Sequence, residues 1–178
     1  HIYKFGITHV CSPLYNPNFI PIGDNSIINS RNTFILPNNR TLGEYIPFYF
    51  GIRMPMLYVI QNGFNSVTST PAENIVYCIT SAQEIINHQL DFIFTNGHAV
   101  DGLTEFYNQN DILSIENIID KAAINLKYWK DESDLDLKRR KEAEFLIHSD
   151  IPQSAIVGFV VYNDTAKNIM LNMGVESK

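Results

Sequence analysis

Ala143-Glu144-Phe145-Leu146-Ile147 is a short apolar run with one carboxylate inside it, and four consecutive cations, Lys138-Arg139-Arg140-Lys141, stand just upstream. Aromatic and aliphatic residues in a run this short predict a strand over 143–147. On an alternating strand Glu144 shares a face with Leu146 and His148, so its carboxylate sits at least partly inside. Burying an unpaired carboxylate costs several kcal/mol, and proteins keep one mainly where it is paired or used. From the residues alone, a salt bridge to Arg139 or Arg140, an exposed edge and a functional acid are all open. The basic cluster is likewise either a solvated loop or strand edge, or a strip that follows phosphates.

Working outward, residues 45–50 and 56–60 are short apolar and aromatic runs flanked by Pro or Gly, and both read as buried strands. Residues 75–80, 92–94 and 156–162 read the same way, the last joined to 143–147 through an Ile151-Pro152 turn. Ser81 and Glu84 have capping-box spacing, which predicts a helix to about Gln89. Ile115, Ile118, Ile119 and Ala122 recur at helical spacing and predict a helix running towards Trp129. Ala166, Ile169, Met170 and Met173 line a final helix that ends at Gly174. Residues 11–39, rich in Asn, Pro, Ser and Gly, favour loops and turns, and so long an irregular stretch is more often functional than idle. Short strands without strict alternation with helices indicate one mixed α+β domain over residues 1–178, with no internal repeat.

With 178 residues, 45% of them hydrophobic and 18% charged, the chain has the make-up of a single compact domain. No apolar run is long enough to span a bilayer and no signal peptide is visible, so a soluble, unexported protein is expected. Cys11 and Cys78 form no C-x-x-C pair, which fits a reducing cytoplasm. A net charge of −6 runs against a simple nucleic-acid binder, so any DNA or RNA path must be a local basic strip. There is no G-x-G-x-x-G, P-loop, G-x-S-x-G or H-E-x-x-H pattern, which argues against Rossmann dehydrogenases, P-loop NTPases, serine hydrolases and zinc proteases; no metal is called for. His1 stands without a preceding Met, and residues 1–6 read like the last turn of something already under way, so a short N-terminal segment is expected to be missing. Arg31 could take a phosphate through two parallel hydrogen bonds or be a plain surface arginine. Arg53 sits at a sharp turn between Gly51 and Pro55, and His98 on a loop just after a strand, where functional groups are often presented.

Three blocks carry a family likeness. They are Tyr45-Ile46-Pro47-Phe48-Tyr49-Phe50-Gly51-Ile52-Arg53-Met54-Pro55-Met56-Leu57-Tyr58, then Phe94-Thr95-Asn96-Gly97-His98-Ala99, then Lys138 through Ile147. In this order they resemble the DarT family of DNA ADP-ribosyltransferase toxins. The resemblance implies an ADP-ribosyltransferase fold related to the diphtheria-toxin and PARP enzymes, with a mixed, mainly antiparallel β core and peripheral helices. It implies transfer of ADP-ribose from NAD to a base in single-stranded DNA, and a macrodomain antitoxin of the DarG type as partner. Residues 6–9, 21–24 and 30–31 look closer to the thymine-modifying branch than to the guanine-modifying one. Carried over by position, Glu144 is the catalytic residue and Arg31 a catalytic and NAD-contacting partner. His98 and Tyr49 fall beside NAD, while Arg53, Lys138, Arg139 and Arg140 fall on the nucleic acid. The family's His-containing, NAD-contacting segment precedes the residues matching His1 to His9. A guanine, RNA-base or protein acceptor, and a non-catalytic binding module of the same fold, are the alternatives.

Overall fold

A computed structural model describes residues 1–65 and 67–175. Its core is a four-stranded antiparallel sheet in the order β1-β5-β3-β4, made of β1 (Tyr45–Tyr49), β5 (Glu144–His148), β3 (Phe92–Thr95) and β4 (Phe106–Tyr107). A separate two-stranded sheet pairs β2 (Val76–Ile79) with β6 (Gly158–Val161). Helices surround them: α1 (Ile2–Phe5), α2 (Asn25–Thr33), α3 (Pro55–Asn62), α4 (Ala82–Asn87), α5 (Ile115–Ile118), α6 (Lys121–Asn125), α7 (Leu137–Lys141) and α8 (Asp164–Asn172). The mixed α+β class inferred from the sequence is the one observed.

β5 is flanked on both sides, by β1 with Tyr49 opposite Glu144, and by β3 with Phe94 opposite Phe145. Its side chains alternate between two cores, as a pleated strand requires. Phe145 and Ile147 pack with Phe92, Phe94 and Ile85, while Leu146 packs on the other face with Leu36, Leu42, Tyr45 and Ala99. Stacking of Phe92 on Phe145 at 4.7 Å between ring centroids fixes the β3–β5 register. By alternation Glu144 lies on the face of Leu146.

Five local expectations are corrected. Residues 56–60 are helical: Pro55 opens α3 at its first turn, where a missing N–H costs nothing, and Gly63 closes it in the left-handed conformation with φ 74°. The irregular stretch 11–39 contains a real helix, α2, because the Asp24 side chain accepts the Ser26 N–H and caps it. The helix expected from Ile115 towards Trp129 is interrupted. Ile119 turns extended, and Asp120 restarts a new helix by accepting the Ala123 N–H. Residues 156–162 supply β6, which joins β2 and leaves β5 to its own sheet. The basic run 138–141 forms α7, not a loop or strand edge. Among the described residues no helix is long and apolar enough to cross a membrane.

Candidate active site

Glu144 opens β5 with 0% of its surface exposed. Three groups receive it. Its backbone N–H donates to Thr95 Oγ1 at 2.9 Å, and Thr95 in turn donates to the Gly97 carbonyl at 2.7 Å. The Ala99 N–H donates to Glu144 Oε1 at 2.9 Å. Arg31 Nη1, from the last turn of α2, donates to Oε2 at 2.8 Å, and the arginine side chain keeps 12% exposure. Both carboxylate oxygens are thus held in place by donors, and the charge is compensated by a guanidinium 113 residues away in sequence. The second guanidinium nitrogen, Arg31 Nη2, is buried and has no hydrogen-bond partner among the described residues. A cationic donor without an acceptor costs free energy unless a ligand oxygen completes it. Phosphate and ribose oxygens of a dinucleotide are acceptors of the right kind, so the residues present fit NAD.

The other expected site residues divide into two groups. Tyr49 is opposite Glu144 across the β1–β5 pair and half-buried. Burial, with the Glu144 charge adding to it, pushes its phenol well above the usual tyrosine value, so it stays a neutral donor; its hydroxyl lies 3.8 Å from Met56 Sδ. His98 is half-buried in the β3–β4 loop, one residue before the amide that meets Glu144, and its own N–H donates to the Arg139 carbonyl at 2.9 Å. Tyr49 thus lies beside the carboxylate with Arg31, and His98 adjoins the Ala99 residue whose amide meets it.

The basic cluster behaves differently. Arg139 grips Asp136 through Nε at 2.7 Å and Nη2 at 2.8 Å, and that hydrogen-bonded carboxylate holds its pKa above the ordinary arginine value. Its Nη1 reaches Asn96 Oδ1 at 3.2 Å and Thr104 Oγ1 at 3.4 Å, so it braces the loop that presents Ala99. Gly97 is required there, since a Cβ would stand 2.4 Å from Arg139 Nη1 and 2.9 Å from Thr104 Oγ1. Arg140 is bound by Asp120, Asp134 and Asp136, with the Asp134 bond the main reason its pKa is raised. Lys141 is buried, and desolvation lowers its pKa; its ammonium donates to the carbonyls of Ile124 at 2.8 Å and Leu126 at 2.5 Å. Lys138 pairs with Glu142 at 3.0 Å but leaves 55% of its side chain exposed. Arg53 is exposed and lies outside the cluster around Glu144, on a groove formed with α3 and residues 127–130.

Sequence reasoning missed Thr95 and the Ala99 amide as parts of the site. A backbone donor leaves no mark on residue type, although the Asn96-Gly97 pair after a strand signals the turn that aims it. Among the described residues no group of three His, Cys, Asp or Glu side chains could hold a metal ion.

Comparison with known proteins places this geometry among relatives. A family model described as ssDNA thymidine ADP-ribosyltransferase, DarT, matches residues 1–176. The DNA ADP-ribosyl transferase of Thermus sp. (strain 2.9) is 35% identical over 127 residues, covering 71% of this chain and 58% of that protein. The chain therefore spans less than two thirds of that relative's length. A DNA ADP-ribosyl transferase–DNA ADP-ribosyl glycohydrolase fusion protein of Thermosipho africanus is 29% identical, covering 82% of this chain and 35% of its own. Solved structures of the Thermus protein superpose closely. In complex with ADP-ribosylated ssDNA the TM-score is 0.81 at 30% identity, over 97% of this chain and 80% of that one. In complex with NAD+ it is 0.75 at 28% identity, over the same shares of both chains.

Proposed function

The chain belongs to the DarT family, and on that premise we propose that it transfers ADP-ribose from NAD to a base of single-stranded DNA, thymine by preference, with Glu144 and Arg31 as the catalytic pair. The observation that carries this reading is the completely buried Glu144 carboxylate clamped between the Arg31 guanidinium and the Ala99 amide, with Arg31 Nη2 left over for a ligand oxygen. Tyr49 borders the same place, His98 adjoins the residue whose amide meets Glu144, and both are proposed to contact NAD.

In the reaction the bond between the anomeric carbon and the nicotinamide nitrogen breaks, its electron pair leaving with nicotinamide, and a new bond forms to a ring nitrogen of the base. Positive charge grows on the ribose as the first bond lengthens. A fixed carboxylate next to that sugar stabilises the charge without having to reorient. The acceptor nitrogen must lose its proton, and Glu144 is the base proposed to take it and pass it to water. Arg31 has two roles: Nη1 orients the carboxylate, and Nη2 holds an oxygen of NAD. An unpaired strand exposes the base edge that a duplex hides, so a single strand is the cheaper substrate.

General-base and charge stabilisation of this sort is worth about 10² to 10⁴ in rate, so Glu144→Ala is expected to lose transfer by that factor while keeping its fold. The assay incubates NAD with four homopolymer oligonucleotides and one mixed sequence, and mass spectrometry locates the added ADP-ribose. Transfer by Glu144→Ala at the rate of the unaltered protein would overturn the catalytic assignment. Mass added to dG alone, or to RNA alone, would change the acceptor and keep the chemistry.

Two further parts of the reading follow the family. The partner is proposed to be a macrodomain protein of the DarG type that removes the mark, which the Thermosipho fusion of transferase with glycohydrolase favours. The site of action is proposed to be the cytoplasm, where the free thiols of exposed Cys11 and half-buried Cys78 remain reduced.

A further inference from the structure

We propose that the groove between α3 and residues 127–130 holds the unpaired nucleotides that flank the acceptor base, with Trp129 stacking on a base and Arg53, Lys127 and Lys130 facing the phosphates. This rests on the reading that single-stranded DNA is the substrate. The groove encloses about 550 Å³, and its walls include Leu57 and Tyr58 of α3. None of its described lining residues is acidic, in a chain whose net charge is −6. The three cations form no ion pair among the described residues, whereas Arg139 and Arg140 of α7 are tied to aspartates. Charge of one sign left unneutralised beside aromatic faces is the pattern that binds single strands, because every base has a face to stack and every linkage a phosphate.

The aromatic wall is already shaped for a base. Trp129 is half-buried and meets the exposed Tyr58 edge-on, with 5.5 Å between centroids, and Tyr58 stacks on Phe64 at 5.6 Å. Lys127 rests over the Tyr128 ring at 5.1 Å, which fixes where its ammonium stands. Both walls are tied to elements that flank the catalytic strand, α7 and β1. Lys141, three residues before Glu144, donates to the Ile124 and Leu126 carbonyls and so fixes the segment leading to Lys127. On the other side, α3 carries Met56, whose sulfur lies 3.8 Å from the hydroxyl of Tyr49, the residue opposite Glu144. A strand lying in the groove therefore runs along the helix whose Met56 meets Tyr49, the residue paired with Glu144.

Trp129 is the only tryptophan of the sequence, so its fluorescence reports the groove directly. Titrating the protein with an oligo-dT strand is expected to quench that emission. The same backbone carrying abasic sites should bind about tenfold more weakly and leave the emission unquenched. Trp129→Ala should raise the Kd for oligo-dT by a similar factor with NAD affinity unchanged, at a small loss of melting temperature from its edge-on contact with Tyr58; Trp129→Phe should recover most of the binding. Emission that does not move at saturation, as judged by anisotropy of a labelled oligonucleotide, overturns the proposal, and so does unaltered Kd in Trp129→Ala. The enzymatic reading fails separately: quenching without transfer to any oligonucleotide leaves the groove standing, whereas transfer without quenching removes the groove alone.

Discussion

At the scale of single residues, the Arg31–Glu144 pair is asymmetric, and the asymmetry can be measured. Removing one member of a buried ion pair typically costs about 3 to 5 kcal/mol because the other charge is stranded. Arg31 keeps 12% of its surface exposed and sits on a long side chain, so without its partner it can turn towards water. Glu144, with 0% exposure and its backbone fixed in a central strand, cannot. Arg31→Met, which fills the same space without charge, is therefore expected to lower the unfolding free energy by about 3 kcal/mol, and Glu144→Gln by clearly less. Urea denaturation of both variants checks this; equal losses would mean that Glu144 reaches solvent in Arg31→Met. Burial of Glu144 was legible from its apolar neighbours, but its partner was not. A pairing across 113 residues leaves no local pattern, and the nearby Arg139 and Arg140 were the more obvious candidates. The family likeness, not the spacing, pointed to Arg31.

At the scale of elements, what turns β5 from a buried strand into a candidate site is the loop between β3 and β4. It brings the Ala99 amide onto Oε1 of Glu144, and it is held by Arg139 through Asn96, Thr104 and the His98 amide. Gly97→Ala would push a methyl group into an arginine that Asp136 prevents from moving aside. Overpacking of this kind costs about 1 to 3 kcal/mol, and moving the loop also removes a donor from the carboxylate. The expected result is a lower melting temperature together with a loss of kcat, with KM for NAD little changed; full kcat in Gly97→Ala would show that the loop does not set the acid's position. The strands around this loop were readable because their apolar runs are short and bounded by turn residues. Residues 56–60 were misread because a short apolar run fits a strand and a buried helix equally well. The deciding signals, Pro55 in the first turn and Gly63 beyond the last, lie outside the run itself.

At the scale of the whole molecule, an acidic protein proposed to bind a polyanion must concentrate its free cations, and charge density along the sequence does not by itself locate them. Lys138-Arg139-Arg140-Lys141 is the densest basic stretch, yet in the fold two of its members answer aspartates and one is buried under backbone carbonyls. Arg53, Lys127 and Lys130 are spread over the sequence and meet only when α3 packs beside the segment after α6. Counterion release makes these alternatives distinguishable, since each phosphate neutralised on a single strand contributes about 0.7 to the slope of log K against log salt. Lys127→Ala with Lys130→Ala should therefore flatten that slope by about 1.4, whereas Arg140→Gln should leave the slope unchanged and instead lower the melting temperature by releasing Asp120 and Asp134 from their shared cation. Anisotropy titrations of a labelled oligonucleotide at several salt concentrations give both slopes. If Arg140→Gln flattens the slope and the double lysine variant does not, the phosphates follow α7, and the strand approaches Glu144 along the helix that precedes it.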